Sequence, residues 1–402
     1  MLDNIFRRVV SEDFIVIDSR FPQKEPMGFR NAEFNEYLSR LVNFSCYASY
    51  PIPPRKPHIF NHTYGISKVD YLKNLDSYAR SFPDNVDRIN WLDPRKRYKI
   101  KLAYVIFLSA AYSLLEFFEK NKVPFIFVLY PGGSFGLNNE KSDMMLREVF
   151  ESKYFRGVIV TQKITRDYLI DNKLCPDSKI SFIYGGFVQF GKSDVVQKKY
   201  YKKDKKTFDV CFVGHKYLDK GVDKGYDLFI ETARLLSKTN NDIRFHVIGG
   251  FGPGDIDLGE SKDRIKFYGV KPPKFLRMFY SKMDILLSPN RPFQHYVGNF
   301  DGFPIGADAG YCGVARLVSD ELNMNTFFQD GKDIVLIPLN PYKISETIMQ
   351  YYNNPNKLYK LSKKGQEVTQ ELWDIDRHVK ERLNIFSKIT EIQLKVKKET
   401  VV

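Results

Sequence analysis

Long apolar stretches are missing from these 402 residues. The longest, Leu102 to Leu115, falls short of the roughly 20 residues a membrane-spanning helix needs. It reads better as a strand, Ala103–Leu108, leading into a helix. The opening residues, Met1-Leu2-Asp3-Asn4-Ile5-Phe6-Arg7-Arg8, lack the apolar run and small-residue cleavage site of a secretory signal, so a cytoplasmic location is expected. Cysteine is scarce too. Cys46, Cys175, Cys211 and Cys312 lie far apart with no Cys-x-x-Cys pair, which speaks against a zinc ribbon or a disulfide framework and fits a reducing compartment. His58 and His62 are spaced as a metal pair on a helix would be. Pro57 and loop-like surroundings argue against that helix, and no third ligand is near in sequence. No bound metal and no other cofactor is expected.

What the chain has in surplus is positive charge, a formal +14 with a pI near 9.3. Such a balance suits nucleic acid, an anionic membrane surface or phosphorylated substrates. The surplus is gathered in short runs at Arg95-Lys96-Arg97, Lys198 to Lys206 and Lys395 to Lys398. Any one run also reads as plain solvated surface or linker. No helix-turn-helix, zinc-finger or RNA-binding aromatic signature accompanies the charge, so nucleic acid is not an expected partner. A peripheral contact with acidic lipid, at the inner face of a membrane, is the functional reading. With 43% of residues apolar and 15% aromatic, a chain of this length has material for two cores and belongs with globular proteins.

Short buried strands alternate with amphipathic helices, the pattern of parallel α/β sheets. In the first half the pattern predicts strands over Phe14–Asp18, Ala103–Leu108, Pro124–Leu129, Gly157–Thr161 and Ile180–Tyr184. Helices are expected over Ala32–Leu41, Ala111–Lys120 and Ile164–Ile170. Residues 50–98, rich in Pro, Asn, Asp and Arg, read as a long insertion without assigned structure. From Lys198 to Lys206 apolar periodicity stops, which marks the domain boundary. A second unit then runs through strand Asp209–Val213, helix Tyr226–Ser237, strand Arg244–Ile248 and the turn Gly249 to Gly254. Strand Ile265–Tyr268, helix Pro273–Ser281, strand Ile285–Ser288 and a further βαβ to Pro338 complete it, and two helices close the chain. The expected architecture is two Rossmann-like doubly wound domains facing a central cleft, with residues 1–200 and 207–370 as the domains. Residues 371–402 are expected as a helix returning to the first domain.

Chemistry concentrates in the second half. Phe212-Val213-Gly214-His215-Lys216 ends a strand and Lys224-Gly225 opens the following helix. Glycine in such a loop lets backbone N–H groups approach a phosphate, the helix tip adds partial positive charge, and lysine adds a full one. Downstream, Phe300-Asp301-Gly302-Phe303-Pro304-Ile305-Gly306 runs into Asp308-Ala309-Gly310-Tyr311-Cys312-Gly313. Carboxylates at the start of a helix accept sugar or ribose hydroxyls, and the N–H groups there hold an anion. Helix capping is the plainer use of Asp301 and Asp308.

In this order, with His246-Val247-Ile248-Gly249-Gly250, Phe267-Tyr268-Gly269-Val270, Met283-Asp284-Ile285-Leu286-Leu287-Ser288-Pro289 and Cys312-Gly313-Val314 between and after them, the motifs resemble the donor domain of GT-B glycosyltransferases of family 4. Residues 209–338 carry the resemblance closely and the first domain more faintly. It implies a retaining transferase that takes a nucleotide diphosphate-sugar as co-substrate and a glycan or lipid-linked molecule as acceptor, with no bound metal. Lys224 would lie on the donor diphosphate, with Gly214 beside it and His215 or Lys216 as a second basic contact. Gly269, Val270 and Lys271 would flank the nucleobase. Asp301 would face the donor sugar and Asp308 the ribose, with Gly302, Phe303, Pro304, Ile305 and Gly306 between them. Both acids are aspartate where the family has glutamate, and they stand one residue closer together.

The first domain offers Gly28 and Arg30 after its first strand, with Glu33 at helical spacing to hold Arg30. It also offers the turn Tyr130-Pro131-Gly132-Gly133. Tyr130 occupies the place where many relatives carry a histidine near the reacting sugar. A tyrosine donates a hydrogen bond but, with a pKa near 10, is a poor base at neutral pH. Asp301 and Tyr130 are the catalytic candidates. A sugar-nucleotide epimerase of the same fold, and a non-catalytic glycan- or nucleic-acid-binding relative, are the alternatives.

Overall fold

The computed structural model describes residues 9–23, 28–189, 191–292 and 306–390. Segments such as Phe14–Ile17 and Phe125–Leu129 are buried on both faces, which a strand inside a parallel sheet requires. The chain forms two compact units. One comprises the residues up to Gln189 together with those from Ile375 on, and the other covers the chain between them.

The first unit contains β1 (Val9–Asp18), α1 (Gly28–Arg40), β2 (Phe44–Ala48), α2 (Lys68–Ala79), β3 (Ile89–Trp91), β4 (Arg97–Ile106), α3 (Leu108–Ser113) and α4 (Leu115–Asn121). It continues with β5 (Phe125–Leu129), α5 (Glu140–Glu151), β6 (Phe155–Val160), α6 (Lys163–Asp171) and β7 (Ile180–Phe182). Its sheet runs β3-β2-β1-β4-β5-β6-β7, parallel throughout. The second unit contains β8 (Phe208–Val213), α7 (Tyr226–Ser237), β9 (Ile243–Ile248), β10 (Ile265–Phe267), α8 (Pro273–Tyr280) and β11 (Ile285–Ser288). After these come α9 (Ala307–Tyr311), β12 (Ala315–Val318), β13 (Val335–Leu336), α10 (Pro341–Asn353) and α11 (Pro355–Leu372). Its order is β10-β9-β8-β11-β12-β13, again parallel. The last helix among the described residues, α12 (Ile375–Thr390), belongs to the first unit.

Two segments differ from the sequence expectation. Residues 50–98 are no shapeless insertion, since they hold α2 and the edge strand β3, which pairs with β2. Three residues are too few to show a period, and β2 hides because its apolar run is broken by Ser45. The boundary expected at Lys198–Lys206 lies earlier, after Gln189. The lysine-rich stretch is woven into the second unit: Lys199 N–H donates to Ser281 O (2.8 Å). Tyr201 is buried there, and Lys205 pairs with Asp209 (2.5 Å) and with Asp284. Its polar composition reflects ion pairs at the amino ends of β8 and β11.

The attachment of α12 is unusual in being ionic and fully buried. Arg382 Nε lies 3.2 Å from Glu33 Oε1, both side chains being 0% exposed. The same Glu33 oxygen accepts from the hydroxyls of Tyr37 (2.8 Å) and Tyr104 (2.7 Å). The Arg382 guanidinium also reaches Tyr130 Oη (3.4 Å) and His378 Nδ1 (3.0 Å) and lies 4.9 Å from the centre of the Phe187 ring. Burial pushes the Glu33 carboxyl above its ordinary range, and Arg382 and the two tyrosines oppose that rise. Glu33 therefore does not hold Arg30, whose partner is Asp18 (2.9 Å) at the end of β1.

Removing one member of a buried pair leaves the other charged and unpaired, at a cost of about 3–5 kcal/mol. Arg382→Met should lower the stability of the first unit by that amount, and Glu33→Leu added to it should restore most of the loss. Trp91, in the first unit, reports the transition in urea once Trp373 is replaced by Phe. An Arg382→Met chain as stable as the parent would show that the pair anchors nothing.

Candidate active site

Every strand of an open parallel sheet ends on one edge, and a crevice opens there where the strand order reverses. In the second unit the chain builds outward from β8 to β9 and β10, then crosses back to β11. The crevice thus lies over the carboxyl ends of β8 and β11, where Gly214 and Pro289 stand. The turns after β8, β9 and β10 are stitched into a row. Gly214 N–H donates to Ile248 O and Gly249 N–H to Gly269 O, both at 3.1 Å. Gly249 has φ +129°, and a Cβ there would sit 2.0 Å from Gly214 O, so the row closes only with glycine.

A 3-10 turn, Asp219–Lys224, leads to α7. Gly225, with φ +69°, precedes the helix, and a Cβ on it would lie 2.0 Å from Pro289 O. The first turn of α7 is therefore pressed against the loop after β11. Arg291 clamps this arrangement. Its N–H donates to Asp223 O (2.9 Å), and its guanidinium donates to Val222 O (2.8 Å) and to both Asp227 oxygens (2.6 and 2.8 Å).

Within the clamp Lys224 is buried, 6% exposed. Its Cγ is 3.8 Å from where a Cβ on Gly214 would be, and its ammonium group lies 5.3 Å from the centre of the Tyr217 ring. The structure thus brings Gly214 and Lys224 together at the tip of a helix, over the reversal of strand order. Beside them are groups the sequence reading missed. Asp223 is 2% exposed, yet neither of its carboxylate oxygens has a hydrogen-bond partner among the described residues. Asn290, equally buried, has its Oδ1 in the same condition. A buried carboxylate without donors is costly. The arrangement offers a cation, helix N–H groups and acceptors in want of hydroxyls. The sequence signal for Asp223 was only an acid before the lysine, which also reads as surface.

The other candidates are placed as follows. Lys216 gives its ammonium group to Asp255 (2.6 Å), which also accepts from Gly252 N–H (2.9 Å). Burial works to raise the Asp255 pKa, but these two donors hold it below the ordinary value. His215 is exposed, its ring edge-on to Tyr217 at 5.5 Å. Val270 is exposed beside Gly269, and Lys271 lies 5.3 Å from the centre of the Phe275 ring. Gly306, at φ +77°, stands ahead of α9, and a Cβ there would meet Leu286 Cδ2 at 2.2 Å. Asp308 is in the first turn of α9, and its charge adds to burial in pushing the Tyr280 hydroxyl and the Cys312 thiol upward. Asp301, Gly302, Phe303, Pro304 and Ile305 lie outside the described residues.

In the first unit the order reverses between β1 and β4. Asp18 at the end of β1 accepts from the N–H groups of Arg20 (2.8 Å) and Phe21 (3.0 Å) and from Arg30 Nη1 (2.9 Å). The Arg30 guanidinium lies 5.5 Å from the centre of the Phe107 ring. Phe107, directly after β4, has φ +81° and ψ 152°, a conformation that costs a side-chain-bearing residue on the order of 1–3 kcal/mol. Gly133 makes this possible, since a Cβ on it would sit 2.3 Å from Phe107 Cγ. Gly132 has φ +82° and opens the same turn, while Gly28 has φ +81° and donates to Gln189 Oε1 (2.7 Å). Tyr130 is nearly buried, 4.7 Å from the Phe29 ring and 6.0 Å from that of Phe107. Burial and then Glu33 push its hydroxyl well above 10, against Arg382, so it is no base. Among the described residues no group of three His, Cys, Asp or Glu side chains is placed to hold a metal ion.

This architecture is the GT-B fold. Sucrose-phosphate synthase from Thermosynechococcus elongatus superposes with a TM-score of 0.63 at 14% identity, over 94% of this chain and 99% of the other. Anabaena HepE in complex with UDP does so at 0.63 and 12%, over 93% and 100%. HepE has also been solved with UDP-glucose. Residues 196–368 match the model of the family described as glycosyl transferases group 1. Among curated proteins none matches the sequence.

If Asp223 is held charged without donors, Asp223→Asn removes a destabilising term. The ligand-free variant should melt about 2–5 °C higher than the parent in a calorimetric scan. A lower melting temperature would mean that the carboxylate is satisfied within the fold.

Proposed function

We propose that the chain is a glycosyltransferase that moves a sugar from a nucleotide diphosphate-sugar to a glycan or lipid-linked acceptor, with retention and without a bound metal. The observation that carries this reading is Lys224, buried beside Gly214 and the tip of α7 over the strand-order reversal. The group 1 match over residues 196–368 supports it, as do the UDP and UDP-glucose complexes of HepE.

In this reading Lys224 and the N–H groups of the first turn of α7 take up the charge that develops on the departing diphosphate. Such electrostatic stabilisation is strongest in a site that excludes water. Asp223 and Asn290 accept hydroxyls of the donor, which relieves their unpaired burial. Asp301 and Asp308 serve the donor sugar and the ribose, as the family resemblance implies. The edge with Arg30, Phe107 and the Gly132-Gly133 turn receives the acceptor. Retention follows from same-face attack, in which the leaving phosphate takes the acceptor proton. Tyr130, its hydroxyl turned to the buried Arg382, transfers no proton.

A thermal-shift series with uridine, guanosine, adenosine and cytidine diphosphates identifies the base. Lys224→Ala should then weaken binding of the preferred diphosphate by about 10- to 100-fold and lower turnover at least as much, with Lys224→Arg intermediate. Turnover within a few-fold of the parent in Lys224→Ala would sink the assignment. A new nucleotide sugar formed from donor alone would favour the epimerase.

A further inference from the structure

A groove of about 560 Å³ lies in the second unit between the lysine-rich stretch and the start of α11. That volume is within the range of small-molecule sites, roughly 300–1,000 Å³, room for part of a longer chain. Tyr200, Tyr201 and Tyr359 are among its walls, and Lys202, Lys203, Lys360 and Lys363 ring it. Among the described residues no carboxylate lines it. The nearby Asp204 is occupied by the backbone N–H of Tyr200 (2.9 Å).

The groove is framed by fixed parts rather than by loose surface. Tyr201 is 3% exposed, stacked on Tyr352 at 5.5 Å, and its hydroxyl donates to Asp242. Tyr352 donates to the other oxygen of Asp242 (2.7 Å), and Tyr359 donates to Tyr201 O. The rings of Tyr200 and Tyr359 meet at 4.3 Å and are both half-buried. The four lysines, in contrast, are exposed. Asp242 precedes β9 and Phe208, which packs on Tyr201 at 5.3 Å, opens β8. The groove is thus at the amino edge of the sheet. The length of β8, six residues at about 3.3 Å each, places it about 20 Å from Gly214.

We infer that this groove binds an acidic sugar chain, at a site separate from the donor crevice. Four ammonium groups around one depression demand an anion with several charges. Lys202 and Lys203 already lie over the Tyr201 and Tyr200 rings (5.3 and 6.0 Å), so the exposed parts of the half-buried Tyr200 and Tyr359 rings are what pack against the C–H face of a pyranose, a contact that a bare polyphosphate does not make. A flat bilayer is the poorer fit, because the surface is concave and its lining offers no exposed aliphatic side chain to insert. The basic run that the sequence suggests for acidic lipid is, in the fold, the wall of a trough for a chain. An enzyme that extends or decorates an anionic polymer would gain by holding it here while the crevice works, since a second attachment raises the effective concentration of the first.

The test uses the full chain and four probes: octameric oligogalacturonate, maltooctaose, inorganic triphosphate, and vesicles containing phosphatidylglycerol. Isothermal titration should show binding of the oligogalacturonate, weakening as salt is raised, with maltooctaose at least tenfold weaker. Lys360→Glu/Lys363→Glu should lose tenfold or more of that affinity, and Tyr200→Ala several-fold. The affinity for the preferred nucleoside diphosphate should be unchanged in both, and the melting temperature unchanged in the lysine double variant, which separates this site from the donor crevice. The inference is overturned if the oligogalacturonate does not bind, or if triphosphate binds as tightly. It is equally overturned if vesicles displace the sugar chain through the same lysines, because the occupant is then a lipid surface.

Discussion

Parallel pairing is the constraint from which the rest of this molecule follows. Strands that all point one way deliver every turn of functional use to a single edge, and the reversal of strand order leaves a gap there that no connection covers. Each unit meets this condition once, between β1 and β4 in the first and between β8 and β11 in the second. Each then fills the gap with a cation: Arg30, paired to Asp18, and Lys224, sunk beside Gly214. The two edges differ in how they obtain close approach. The second uses glycines, at Gly225 and Gly249, whose missing side chains let backbone touch backbone. The first forces Phe107 into a conformation suited to glycine and makes room for its ring with Gly133.

The alternation of apolar runs and helices made the two-sheet architecture legible, because strands buried on both faces need no subtle pattern to be seen. The pairing of Gly214 with Lys224 was legible for a similar reason: a glycine after a strand and a lysine before a helix are local signals. What escaped depends on contacts far apart in sequence. Nothing near Glu33 announces that its partner is Arg382, and a charge at helical spacing suggested Arg30 instead. Asp223 carried no sequence signal of its own, because what fixes its backbone is Arg291, far along the chain. The Lys198–Lys206 stretch looked like a linker because ion pairs carry no periodicity.

Charge is distributed with a purpose at both ends of the second sheet. At the amino ends, His246 contacts Asp209 (2.7 Å), which with Asp284 binds Lys205, and these pairings hold the Asp209 carboxyl at about 2 although burial alone would raise it. Lys198, half-buried nearby, is brought down to about 8 mainly by loss of water. That end is self-neutralising. At the carboxyl end, among the described residues, both Asp223 oxygens and Asn290 Oδ1 have no donor. Buried polar groups tend to be satisfied; Asp284 meets this through one oxygen, whereas Asp223 meets it through neither among the described residues.

The return of α12 to the first unit has a consequence for biosynthesis. Arg382 emerges from the ribosome only after the roughly 185 residues of the second unit. At about 5–20 residues per second the wait is on the order of 10–40 s. During that interval Glu33, Tyr37 and Tyr104 form a pocket built around a guanidinium that has not yet been made. A unit whose sheet is translated before the second unit is thus completed only after it, when α12 arrives.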